Sequence, residues 1–78
     1  MHIQDSKQLG TALRSARKQL QLTQPQLALA AGVGVRLIVE LEAGKPTAQI
    51  AKVLQVIDAL GGKVSVNGLA AGEHPAHD

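Results

Sequence analysis

The sequence predicts an all-α fold, a compact helical bundle followed by one short strand near the C-terminal end. Three observations predict it. Apolar residues recur at steps of three and four along separate stretches, the spacing that gathers them on one face of a helix. Residues that favour helix starts, Asp5, Thr23 and Thr47, stand just before such stretches. Glycines at 32, 34, 44, 61 and 62 stand just after them.

The first helix starts near Asp5, with Gln8 three residues on as a reciprocal cap requires. Leu9, Leu13, Ala16 and Leu20 share its inward face, while Arg14, Arg17, Lys18 and Gln21 fall mostly elsewhere around it. The second helix opens on Thr23-Gln24-Pro25-Gln26, a capping box with Thr23 as N-cap and Gln26 reaching back. Pro25 sits in its first turn, where a missing N–H costs little. Leu27, Ala28 and Ala31 face inward before Gly32-Val33-Gly34 forces a turn. The third helix covers about Val35 to Ala43, turns Ile38 and Leu41 inward, and ends at Gly44 in the left-handed conformation. After Lys45-Pro46, Thr47 is the expected N-cap of a fourth helix. Its stripe of Ile50, Val53, Leu54, Ile57 and Leu60 runs to Gly61-Gly62.

Lys63-Val64-Ser65-Val66 alternates polar and apolar, and Asn67-Gly68 signals a turn. A lone strand is not stable, so this segment is either irregular or paired with another molecule. Residues 69–78 are small, polar and proline-containing, and read as a disordered tail. The organisation expected is therefore a helical domain over 1–62, a dimerisation strand over 63–68 and a tail.

A chain of 78 residues holds one domain. It buries only roughly 60% of the surface its unfolded form exposes, which leaves it marginal alone. There is no cysteine to form a disulfide or a thiolate metal site, so dimerisation is the remaining source of stability. Phe, Tyr and Trp are also absent. That removes the stacking platforms on which single-stranded nucleic-acid readers depend. Net charge is +2, but between Ser6 and Lys63 eight basic side chains face only Glu40, Glu42 and Asp58. A basic folded part suits a partner rich in phosphate, and suits an ordinary solvated surface equally.

Two short helices joined by a glycine turn, the first of them capped, make a helix-turn-helix from about Thr23 to Gly44. The second helix of such a pair is narrow enough for the major groove of duplex DNA, and the first offers N–H groups to phosphate.

The residues add weight. Leu22-Thr23-Gln24-Pro25-Gln26-Leu27-Ala28 resembles the opening of the Cro/phage-repressor (XRE) helix-turn-helix family. Ala31-Gly32-Val33 with Ile38, Leu41-Glu42 and Gly44-Lys45 is similar to that family's continuation, and Arg17 stands where it carries an arginine. The resemblance spans roughly Leu9 to Leu60 and implies a compact bundle of four to five helices that binds pseudo-palindromic operators as a dimer. By resemblance, Thr23, Gln24, Gly34, Val35, Arg36, Val39, Glu40 and Lys45 form the DNA-contacting set. Gln24 looks like the phosphate contact at the start of the second helix, and Lys45 like the basic residue that meets backbone phosphate. Arg36 can grip guanine by two bonds, and Val35 can touch a thymine methyl. Glu40 either accepts from cytosine or points at solvent and repels phosphate; the second is preferred.

Gly34, Leu37 and Val39 depart from the polar residues usual in that pattern, which shifts affinity toward phosphate contacts and DNA shape. Leu37 reads better as packing beneath the helix. The family pairs the positions of Arg17 and Glu42 in a partly buried salt bridge, which would make Arg17 structural. The segment from Gly32 to Gly44, then Lys45-Pro46-Thr47 and the stretch from Lys52 to Val66, also looks like antitoxin regulators of the HipB type. In these a strand after the helices pairs across the dimer, a role for Lys63, Val64, Ser65 and Val66. That subgroup implies repression of its own operon and a kinase-fold HipA-type toxin as partner.

Catalysis finds no support. His2, His74 and His77 lie near the ends and the carboxylates are scattered. His74, His77 and Asp78 could ligate a metal, but a tail lacks the supporting shell, and solvated residues are the simpler reading. No cofactor is called for. The polar start and the want of an apolar run of ~18 residues lead to the expectation of a cytoplasmic protein with no membrane partner. The competing expectation is a protein-interaction module on the same fold that does not bind DNA.

Overall fold

The computed structural model describes residues 2–70 and forms α1 (Ser6–Gln19), α2 (Gln24–Ala31), α3 (Val35–Glu42) and α4 (Ile50–Ala59). The expected tail is largely outside the described residues, with His74, His77 and Asp78. α2 packs on both α3 and α4, and α1 packs on α3. The core between them is Leu13, Leu27, Ala28, Ala31, Ile38, Leu41, Val53 and Val56. The fold is all-α, and no described helix is long and apolar enough to cross a membrane.

Two of the three expected caps form. The Asp5 carboxylate accepts from the Gln8 N–H at 2.8 Å. The Gln8 amide turns back to the Gln4 N–H at 2.7 Å, one residue before the cap itself. At α2 the capping box closes in both directions: Gln26 N–H donates to the Thr23 hydroxyl at 3.1 Å and Thr23 N–H to the Gln26 amide oxygen at 2.8 Å. Thr47, however, does not cap α4, which begins three residues later behind Gln49 with no side-chain cap. Residues 46–49 are spent on the turn out of α3, so Thr47 is placed before the chain has entered the helix.

The apolar stripes are corrected at their edges. In α1, Leu13 is buried but Leu20 is 52% exposed, and Arg17 takes the buried position one turn earlier. In α4 the buried residues are Val53 and Val56, with Ile57 and Leu60 packed partly against them. Ile50 and Leu54 stay exposed, on a strip beside the one that meets α2. Leu37 is half-buried and takes no place in the core cluster.

One glycine holds the bundle together by what it lacks. Gly10 is in the middle of α1, and a Cβ there would lie 2.5 Å from the Leu41 carbonyl oxygen and 2.8 Å from that of Glu42. α1 and the end of α3 therefore cross at backbone distance. The Ser6 hydroxyl donates to the Gly44 carbonyl at 2.8 Å, fixing the same crossing one turn earlier.

Lys63 to Val66 forms no strand in the single chain, and Val64 and Val66 are exposed. Within the described residues there is no partner segment for it.

Candidate nucleic-acid interface

α2 and α3 are joined by a turn that Gly32 makes at φ +73°, a left-handed conformation that a side chain disfavours. The Val33 N–H returns to the Ala28 carbonyl at 3.0 Å, closing the end of α2. Gly34 is then the N-cap of α3 and provides no side-chain bond, so the first N–H groups of α3 are not covered by a cap. Ile38 and Leu41 anchor α3 in the core, and that anchoring decides which residues face out. Val35 and Val39 are 44% and 46% exposed, and the Arg36 side chain is 89% exposed. The outward face of α3 is thus a pair of apolar side chains with one long cation.

Glu40 neither lies free in solvent nor leaves the cations free. Its Oε2 accepts from Arg36 Nε at 3.3 Å and from Lys45 Nζ at 3.2 Å. Hydrogen bonds from Lys45 and then Arg36 hold its carboxyl below the usual carboxylate range. One acidic oxygen therefore ties two cations, Arg36 and Lys45, into a line along the exposed edge. Such pairs are exposed and weak, so an incoming phosphate can replace the carboxylate.

Behind this face is a buried network. Arg17 and Glu42, 9% and 5% exposed in their side chains, meet through two parallel bonds of 2.6 Å and 2.9 Å. Arg17 also donates to the Leu22 carbonyl at 2.9 Å, and Gln24 Nε2 donates to Glu42 Oε1 at 3.1 Å. Burial alone would raise the Glu42 carboxyl, but these hydrogen bonds and the charge of Arg17 outweigh it and hold it low. The same hydrogen bond raises the Arg17 guanidinium above its ordinary value. The pair ties α1, the loop before α2 and the end of α3 together.

Of the residues expected at the interface, Val35, Arg36, Val39, Glu40 and Lys45 come together along α3 and the turn that follows. Thr23 is exposed at the start of α2 but spends its hydroxyl on capping. Gln24 is half-buried, with its amide turned toward Glu42. Lys63, Val64, Ser65 and Val66 are in the exposed segment beyond α4. A polar cleft of about 330 Å³ joins Gln24 and Val39 and is also lined by Arg14, whose place off the apolar face of α1 gives no sign of it. No pattern along α1 marks Arg14, since apart from Arg17 its neighbours in the cleft come from α2 and the end of α3.

Comparison with known proteins agrees with this geometry. Residues 8–65 match the family model for a helix-turn-helix domain. The chain is 57% identical over 65 residues to the uncharacterized HTH-type transcriptional regulator y4mF of Sinorhizobium fredii (strain NBRC 101917 / NGR234), covering 83% of each. Among solved structures, "HipB-O4 20mer complex" and "Structure of HipA-HipB-O2-O3 complex" each contain a chain of the same fold. Both superpose with a TM-score of 0.80 at 20% identity, over 87% of this chain and 96% of the other. At that identity the likeness concerns the fold. With its capped α2, glycine turn and outward-facing α3, the chain belongs to the helix-turn-helix family and is a transcriptional regulator of that type.

Proposed function

We propose that the protein is a homodimeric, sequence-specific repressor that lays α3 in the major groove of a pseudo-palindromic duplex operator. The observation that supports this most directly is the face of α3. Val35, Arg36 and Val39 are exposed on a helix anchored by Ile38 and Leu41, and nothing in the described chain covers them. Arg36 would read guanine, and Val35 and Val39 would meet thymine methyl groups. Lys45 and Gln24, with Thr23 and Gly34 at the two helix starts, would meet the backbone on either side of the groove. Glu40 releases Lys45 to phosphate and stays as a repulsive element against wrong placements.

Residues 1–62 form the DNA-binding domain in this reading, and 63–68 pair with a second copy, leaving the remainder as a tail. The protein would act in the cytoplasm. Its likeness to HipB in fold, together with the resembling segments between Gly32 and Val66, supports the finer reading of an antitoxin that represses its own operon and holds a kinase-fold toxin of the HipA type.

The test is affinity for duplex DNA selected from a randomised pool, measured at two salt concentrations. Binding should fall steeply with salt, and R36A should bring selected and scrambled duplexes closer together in affinity by roughly 1–3 kcal/mol. Absence of binding at low salt would hand the fold to a protein-interaction role. Co-purification with a kinase-fold protein encoded beside it tests the antitoxin reading separately.

A further inference from the structure

The cleft of about 330 Å³ between α1, the start of α2 and the end of α3 is lined by Arg14, Arg17, Gln24, Val39, Glu42 and Ala43. Its floor is the buried Arg17–Glu42 pair, whose charges cancel. On one wall the Gln24 amide gives a hydrogen bond to Glu42, and a primary amide carries a second N–H. At the rim stands Val39, part of the outward face of α3. The remaining charge is that of Arg14. Its guanidinium is near enough to help stabilise the Glu42 carboxylate, yet among the described residues Arg14 makes no hydrogen bond and no ion pair. An exposed guanidinium with its donors unspent therefore borders a polar cleft of net positive charge, directly beside the helix face that would enter DNA.

We propose that Arg14 is a phosphate clamp, a DNA-binding residue on α1 that grips a backbone phosphodiester in this cleft together with Gln24. This rests on the reading of α3 as the groove-binding helix. The occupant is a phosphodiester because the cleft offers donors from an arginine and an amide at a place where the backbone flanking α3 must pass. Its role is positional. A grip on α1, outside the helix-turn-helix proper, adds a third helix to those that hold the backbone, and so fixes the angle at which α3 enters. Because Arg14 is exposed and makes no hydrogen bond or ion pair among the described residues, its removal is expected to leave the bundle folded.

The experiment compares wild type, R14A, R14K and R36A on a pool-selected duplex and a scrambled one, each titrated from 50 to 200 mM salt. R14A is expected to lower the slope of log affinity against log salt by about 0.9. Over that range its binding then falls about three- to fourfold less than wild-type binding does. It weakens both duplexes by the same factor, R14K restores the slope, and R36A instead narrows the gap between the two duplexes. Unchanged thermal unfolding of R14A shows that the effect is on binding. Wild-type binding with an unchanged R14A slope overturns the clamp alone. Loss confined to the selected duplex also overturns it, since a phosphate contact carries no sequence preference. Failure of wild type to bind either duplex at 50 mM salt overturns the reading of α3 itself.

Discussion

At the scale of single residues, the interface is organised by two glutamates with opposite tasks. Glu42 is buried and holds Arg17 through two bonds, while Glu40 is on the surface and shares one oxygen between Arg36 and Lys45. Only the first stabilises the fold appreciably, because water screens the second. Replacing Arg17 by Met strands the Glu42 charge and is expected to destabilise the protein by about 3–5 kcal/mol in urea unfolding. Restoring neutrality with Glu42→Gln in the same chain should recover part of that loss. Acid should act through the same group. The folded Glu42 carboxyl holds its proton more weakly than the unfolded one, so the unfolded chain binds more protons and stability falls as pH falls. The decline should start near the ordinary carboxylate value of 4.5 and continue below it, and E42Q should lack this component in unfolding followed against pH.

At the scale of elements, the crossing of α1 with the end of α3 sets where the interface points. It is close because Gly10 has no side chain and because Ser6 bonds to the Gly44 carbonyl. Gly44 contributes its own share, with φ +86° and a Cβ position only 2.7 Å from the Lys7 side chain. An isolated helix would gain up to about 1 kcal/mol from replacing a central glycine by alanine. In this bundle the sign should reverse. G10A forces a methyl group against two backbone carbonyls and should destabilise by roughly 1–3 kcal/mol, as chemical denaturation can measure. A stabilised G10A would mean that α1 can move away from α3 without loss.

At the scale of the whole molecule, four short helices leave much apolar surface uncovered. Ile50 at 70%, Leu54 at 44%, Val64 at 56% and Val66 at 68% exposure all belong to α4 or the segment after it. A chain this small gains most from covering such surface with a second copy. Sedimentation at micromolar concentration is expected to show twice the chain mass, and the unfolding temperature should rise with protein concentration. Deleting Lys63 onward should weaken the association. A truncated chain as dimeric as the intact one would remove this segment from the dimer contact.

The sequence by itself determined the events that depend on near neighbours in the chain. The caps at Asp5 and Thr23, the turn at Gly32, the stop at Gly44 and the inward Ile38 and Leu41 all involve residues within about one helical turn of each other, and all were legible. So was the outward set on α3, once its inward pair was known. The tertiary structure decided what depends on the element across the gap. It turned Val53 and Val56 of α4 inward and left Ile50 and Leu54 out, because α2 meets only one strip of that helix. It made Gly10 a contact surface for α3, moved the α4 start past Thr47, coupled Arg36 to Lys45 through Glu40, and set Arg14 beside Gln24 and Val39. Periodicity along one helix shows that a face is apolar; which neighbouring surface meets it, and at what distance, is fixed only when the helices pack.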